Sequence, residues 1–167
     1  MARLVLIGLP GVGKTTVARA VAGRWACPVV DTDALVGLRE GTPAPQILRE
    51  RGEEAFRISE VAALGEALAS DAVVSTGAGV VTGALARQML ADQVTLWLDC
   101  DDATILARVA DGDRPLLGDD APSALARLRR ERERWYHACA RARVDATGEC
   151  DEVVERVCAT TSSLELA

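Results

Sequence analysis

The chain has 167 residues, enough for one domain with one sizeable core, and its 49% hydrophobic and 26% charged residues are those of an ordinary soluble globular protein. A formal net charge of −6 argues against nucleic acid as the main partner, because a phosphate backbone wants a basic face. No apolar run approaches the roughly 20 residues of a membrane span, and the apolar start lacks the length and cleavage site of a signal peptide. The expectation is a cytoplasmic protein with no membrane contact.

Five cysteines stand at positions 27, 100, 139, 150 and 158, with no C-x-x-C pair. An odd count suits reduced thiols, and Cys139 and Cys158 fall in apolar helical patterns as small core residues. Of the 19 basic residues only Lys14 is a lysine. In an arginine-rich background this points to a position where a planar fork will not serve and a compact ammonium will.

Taken in order, Arg3–Ile7 reads as a buried strand and Gly8–Gly13 as a glycine-rich loop. Lys14–Trp25 has helical spacing, with Val17, Val21 and Trp25 on one face. Val29–Asp31 is a short strand after Pro28. Helical pieces near Asp33–Glu40 and Pro45–Arg51 are separated by Gly41-Thr42-Pro43. Glu53–Ser70 is an amphipathic helix with Phe56, Val61, Leu64 and Leu68 inward. Ala72–Ser75 is a third strand, followed by Thr76-Gly77-Ala78-Gly79 and a helix over Gly83–Leu90. Val94–Leu98 is a fourth strand and Ala103–Ala110 a helix. Asp111–Ser123 reads as a lid or binding loop, since loops of that length are seldom idle. Ala124–Arg141 is a charged helix, Arg143–Ala146 a fifth strand and Asp151–Thr160 a closing helix. Strands alternating with helices imply a parallel sheet covered on both faces, and no linker, repeat or low-complexity tract divides the chain.

Gly8-Leu9-Pro10-Gly11-Val12-Gly13-Lys14-Thr15 matches G-x-x-x-x-G-K-[ST] in full, with a strand before it and a helix after it. Such a loop aims backbone N–H groups at an anion, and the helix N-terminus adds partial positive charge. Gly11, Val12, Gly13, Lys14, Thr15 and Thr16 are therefore the nucleotide candidates. Lys14 can reach the β- and γ-phosphates, and the Thr15 hydroxyl can serve Mg²⁺. Asp31-Thr32-Asp33 ends the second strand, at the edge where open α/β sheets hold ligands. On an extended segment the two carboxylates would point the same way, one for a metal and one for a substrate hydroxyl. Capping of the following helix by Thr32 or Asp33 is the plainer alternative.

At these residues the chain resembles shikimate kinase, a small family of the nucleoside-monophosphate-kinase-like fold, over nearly its whole length. The resemblance implies a three-layer α-β-α P-loop fold with a five-stranded parallel sheet and a lid loop. It implies that Asp31 helps hold magnesium and that Asp33 contacts the substrate's ring hydroxyls. Phe56-Arg57, with Glu60 one turn on, matches a family pair in which Arg57 would grip a substrate carboxylate. Gly77-Ala78-Gly79 stands where the family has three glycines, so the central position is altered. Arg114-Pro115-Leu116-Leu117 matches the lid motif, with Arg114 closing over the phosphates. Arg108 matches an arginine near the adenine. Arg132-Glu133-Arg134-Trp135-Tyr136 matches an Arg-x-x-x-Tyr segment, with Arg132 as the second carboxylate ligand. Trp135 and Tyr136 read as packing residues, as does His137. Thr147-Gly148-Glu149-Cys150 matches the adenine loop, without the arginine many members carry there.

The function implied is phosphorylation of the shikimate 3-hydroxyl by Mg-ATP, with Lys14, Asp33 and Arg114 catalytic. A related kinase for gluconate, a cyclitol or an amino-shikimate is the alternative that Ala78 raises, and a regulator without kinase activity is a third. A monomer is expected, because no sustained apolar heptad appears.

Overall fold

The structure, a computed structural model, describes residues 1–110, 117, 118 and 120–166, apart from the side chains of 44, 45 and 165. Five strands form one sheet: β1 (Leu4–Ile7), β2 (Val29–Asp31), β3 (Val73–Ser75), β4 (Thr95–Asp99) and β5 (Ala142–Asp145). Their order is β2-β3-β1-β4-β5 and every pair is parallel. The three central strands are buried at every residue, whereas β2 and β5 are partly exposed at the edges. Runs such as Leu4–Ile7 have no polar face because helices cover both sides.

The helices are α1 (Lys14–Arg24), α2 (Thr32–Glu40), α3 (Ala44–Ala69), α4 (Ala84–Ala91), α5 (Asp102–Ala110), α6 (Ala121–Cys139) and α7 (Cys150–Glu165), with a 3₁₀ turn at Val80–Thr82. Helix α1 packs on α7, while α4, α5 and α6 pack as a second group, and α2 packs on α3. This is the expected three-layer α-β-α arrangement. The main core joins the strands to α1, α6 and α7, and a satellite cluster of Val36, Ile47 and Ala63 holds α2 to α3. Cys139 is in the core as expected, and Cys158 packs partly buried against it.

Differences from the expected elements have local causes. The two helical pieces after Gly41 run on through Gly52, which bends α3 with φ 82° and ψ 173°. Helix α6 begins at Ala121 rather than Ala124, because the Asp120 carboxylate accepts from the Ser123 N–H and Pro122 suits the first turn. The span between α5 and α6 is thus shorter than the expected Asp111–Ser123. Of the expected lid motif, Arg114, Pro115 and Leu116 lie outside the described residues, and Leu117 joins the main core.

Because strand order reverses between β1 and β4, their following loops part to opposite faces and open a crevice at the carboxyl edge. Gly52 lies in a backbone region that is essentially glycine-only, although a Cβ there would meet nothing within 4 Å. Gly52→Ala should therefore cost about 1–3 kcal/mol through the backbone alone, read by urea unfolding.

Candidate active site

Five strand-to-helix loops meet at the carboxyl edge. In the first, Gly13 is left-handed at φ 102° and starts α1, so that Lys14 opens the helix inside the loop. Lys14 is buried, and its Nζ donates to the carbonyls of Gly8 and Leu9, each at 3.0 Å. Burial lowers its ammonium to about 8, against the pull of Asp33 and Asp31, while Arg132 pushes the same way as burial. Gly11, Val12, Gly13, Lys14, Thr15 and Thr16 line a cavity of about 560 Å³, closed on the far side by Arg108, Ala146, Gly148 and Cys150.

Arg108 fastens that far wall. Its Nη1 donates to the Val12 carbonyl at 3.1 Å, and its Nη2 to the Ala146 and Gly148 carbonyls at 2.8 and 3.1 Å. Arg108 thus ties the glycine loop to the loop after β5. That loop carries no arginine of its own, but Arg156 from α7 donates to the carbonyls of Asp145 and Thr147.

Asp31 differs from its expected setting. The strand ends there and the chain turns at once into α2, so Asp31, and not Thr32 or Asp33, is the helix cap. Its Oδ1 accepts from the N–H groups of Asp33 and Ala34, and its Oδ2 accepts from the Thr15 hydroxyl at 2.8 Å. Capping and contact with the P-loop hydroxyl coexist on the two oxygens of one carboxylate. Ser75 Oγ lies 3.2 Å from Thr15 Oγ1. No sequence motif marks Ser75, because only the β2–β3 register sets it beside Asp31. Asp33, in the first turn of α2, faces the glycine segment. Burial raises its carboxyl above the ordinary range, Asp31 adds to this, and Lys14 and Arg57 oppose it.

Arg57 projects from the second part of α3. Its Nη1 donates to Glu60 Oε2 at 2.6 Å and to the Gly79 carbonyl at 3.4 Å. Glu60 is 2% exposed, and burial raises its carboxyl while Arg57 lowers it. Only Glu60 is fully buried in this pair, with the Arg57 side chain about a quarter exposed at 27%, so the carboxylate serves as the fixed anchor that holds the guanidinium beside Gly79.

Hydrogen bonds fix the segment Gly77-Ala78-Gly79 through every carbonyl. The Gly77 N–H donates to Thr32 Oγ1, and the Gly77 carbonyl accepts from the Val80 N–H. The Ala78 carbonyl accepts from Arg132 Nη1 at 3.0 Å and from the Tyr136 hydroxyl at 2.7 Å. The Gly79 carbonyl accepts from the N–H and hydroxyl of Thr82. The N–H groups of Ala78 and Gly79 donate to none of the described residues. A Cβ at Gly77 would stand 2.5 Å from Asp33 Oδ1, and one at Gly79 2.8 Å from Arg57 Nη1. The central position needs no glycine conformation, because Ala26 alone among described non-glycine residues has positive φ. Alanine is therefore accommodated at 78, whereas on either side of it a Cβ would displace the Asp33 carboxylate or the Arg57 guanidinium.

Arg132 Nε is buried and has no partner among the described residues. Tyr136 is 1% exposed and is more than the packing residue expected, since its hydroxyl reaches the glycine segment. One turn before Arg132, Arg129 ties α6 to the end of β4 through Asp99, Asp102 and the Cys100 carbonyl. Its helical spacing to Arg132 and Tyr136 is legible in the sequence, but among so many arginines nothing singles it out. His137 is exposed and packs edge-on to Trp97, a structural place as expected. Among the site residues expected from sequence, only Arg114 is outside the described residues.

The family model described as shikimate kinase matches residues 10–162. The chain belongs to the shikimate kinase family. It is 37% identical over 164 residues to a shikimate kinase of Frankia casuarinae, covering 96% of this chain and 73% of that one. A shikimate kinase of Thermobifida fusca is 42% identical over 138 residues, covering 81% and 80%. The structure of a shikimate kinase from Acinetobacter baumannii in complex with shikimate superposes with a TM-score of 0.89 at 28% identity, covering 98% of this chain and 94% of that one. The family phosphorylates shikimate at the expense of ATP, so this chain is a kinase and the gluconate or cyclitol alternative is not favoured.

Gly79→Ala should push the Arg57 guanidinium off its seat. In steady-state kinetics the displacement should leave the ATP KM unchanged and, where Arg57 is a ligand of shikimate, raise the shikimate KM at least about tenfold.

Proposed function

We propose that this enzyme transfers the γ-phosphoryl group of Mg-ATP to the 3-hydroxyl of shikimate, with each substrate held by residues already described. One observation carries the assignment of the acid site. Two guanidinium groups, Arg57 and Arg132, and two undonated amides, Ala78 and Gly79, border one glycine segment within electrostatic reach of Lys14. Half-buried guanidinium groups beside free N–H groups favour an anion, and a carboxylate matches guanidinium forks in two-point fashion.

The nucleotide lies along Gly11–Thr16, with its phosphates replacing the Gly8 and Leu9 carbonyls as partners of Lys14. The base lies toward Arg108. For the metal, the hydroxyl of Thr15, the carboxylate of Asp31 and the hydroxyl of Ser75 converge as hard oxygens. Magnesium takes few protein ligands and keeps waters and phosphates, so this set fits it. When bound, it would neutralise charge on the phosphates. Thr15 and Asp31 are the residues that would hold it.

Asp33 orients the attacking hydroxyl and accepts its proton as the oxygen bonds to the γ-phosphorus and the β–γ bridging oxygen leaves with ADP. Its raised carboxyl brings it nearer the working pH, where a base transfers protons best. Lys14 and Arg114 offset the charge on the moving phosphoryl group, the main catalytic demand of this reaction. Closure of a lid carrying the Arg114 motif, ahead of α6, would exclude water and so suppress ATP hydrolysis. The same reading takes the enzyme as a single-domain monomer in the cytoplasm.

Coupled ADP release with shikimate is the test. Arg57→Ala should lose shikimate turnover while nucleotide binding stays, and unchanged turnover would mean the acid site is elsewhere. Nucleotide phosphates should also return Lys14 to its ammonium form. Sign follows from the lowered value: above about pH 8 the free protein holds Lys14 neutral, so binding takes up a proton, and near pH 6 it takes up none at this group. Calorimetry at pH 8.5 in buffers of different ionisation enthalpy measures that uptake, and Lys14→Met should abolish it.

A further inference from the structure

We infer that Tyr136 is a positioning residue for the acid substrate: its hydroxyl, with Arg132, sets the plane of the Ala78–Gly79 peptide so that the Gly79 N–H faces the anion. The inference rests on the proposed acid site. It starts from a property of the peptide group, which is planar and trans, with C=O and N–H on opposite sides. Two donors on one carbonyl therefore fix the direction of the amide that follows. Arg132 Nη1 and the Tyr136 hydroxyl both reach the Ala78 carbonyl from α6, at 3.0 and 2.7 Å. The Gly79 N–H then points away from α6. Arg57 lies against Gly79, close enough that a Cβ there would meet Nη1 at 2.8 Å.

The two donors are not equivalent. Arg132 is only half-buried and is itself a proposed ligand of the acid, so its guanidinium must divide between carbonyl and carboxylate when substrate arrives. Tyr136 is 1% exposed, and its one hydroxyl proton goes to the Ala78 carbonyl while Arg132 lies within hydrogen-bonding reach of that hydroxyl oxygen. Its ring is held by Trp97, itself 2% exposed, with centroids 5.9 Å apart and planes 23° apart. Burial pushes the phenol up to about 12, so the hydroxyl keeps its proton at any working pH. The tyrosine can thus go on holding the carbonyl while the arginine turns to the substrate. That would keep Ala78, the position at which the glycine run is altered, from turning its carbonyl toward an incoming carboxylate.

The test is Tyr136→Phe in the full chain, which removes one oxygen and keeps the ring on Trp97. The expected result is a shikimate KM raised about tenfold, as for loss of one hydrogen bond, with the ATP KM within about twofold and the thermal midpoint nearly unchanged. An unchanged shikimate KM overturns the inference. So does a rise shared by the ATP KM together with a fall in thermal midpoint, because a packing role moves all three. Arg57→Ala run beside it separates the two ideas. If Arg57→Ala loses turnover while Tyr136→Phe does nothing, only the positioning role is wrong. If Arg57→Ala does nothing, the acid site itself is wrong.

Discussion

Parallel strands all end on one edge, and that constraint organises the molecule. A hairpin sheet would scatter its loops over two ends, but here every strand delivers its following loop to the same side. The polar groups that leave the strands must find partners there, within a few residues of one another. Thr15, Asp31 and Ser75 meet because β1, β3 and β2 are neighbours in register. Arg108 can reach both Val12 and Ala146 because β1, β4 and β5 are neighbours on the other side.

Concentrating charge at such an edge raises an electrostatic problem that the structure handles by pairing. Lys14, Arg57 and Arg132 repel one another in a partly dry place, and Asp31, Asp33 and Glu60 offset them. Burial works against both signs, pulling the lysine down and the carboxyls of Asp33 and Glu60 up. The result is a set of groups whose protonation responds to ligands. Glu60 and Asp31 are satisfied by the protein itself, whereas the Ala78 and Gly79 amides and Arg132 Nε are left without protein partners among the described residues.

The glycine segment shows how an altered motif can keep its geometry. Gly77 and Gly79 are close-approach glycines, pressed by the Asp33 carboxylate and the Arg57 guanidinium respectively. Position 78 is not, and its contribution is a carbonyl and an amide, which any residue supplies. Counting glycines in a sequence cannot separate these cases, because the reason for each glycine lies in the side chain that packs against it.

Local patterns in the chain were enough for much of this. The full G-x-x-x-x-G-K-T run and the strand–helix alternation act over short sequence distances, where backbone conformation and side-chain type suffice, whereas Phe56-Arg57 and Arg132–Tyr136 stood out only by resemblance to the family. The local patterns declared a parallel α/β fold with a phosphate loop and named Gly11–Thr16, which line one side of the cavity. What they could not decide is long-range: that Asp31 caps α2 while meeting Thr15, that Ser75 joins them, and that Arg129 clamps α6 to β4. Nor could they tell that Tyr136 reaches a carbonyl 58 residues away. Those contacts exist only once strand order and helix packing are set, and neither is written in any short stretch of residues.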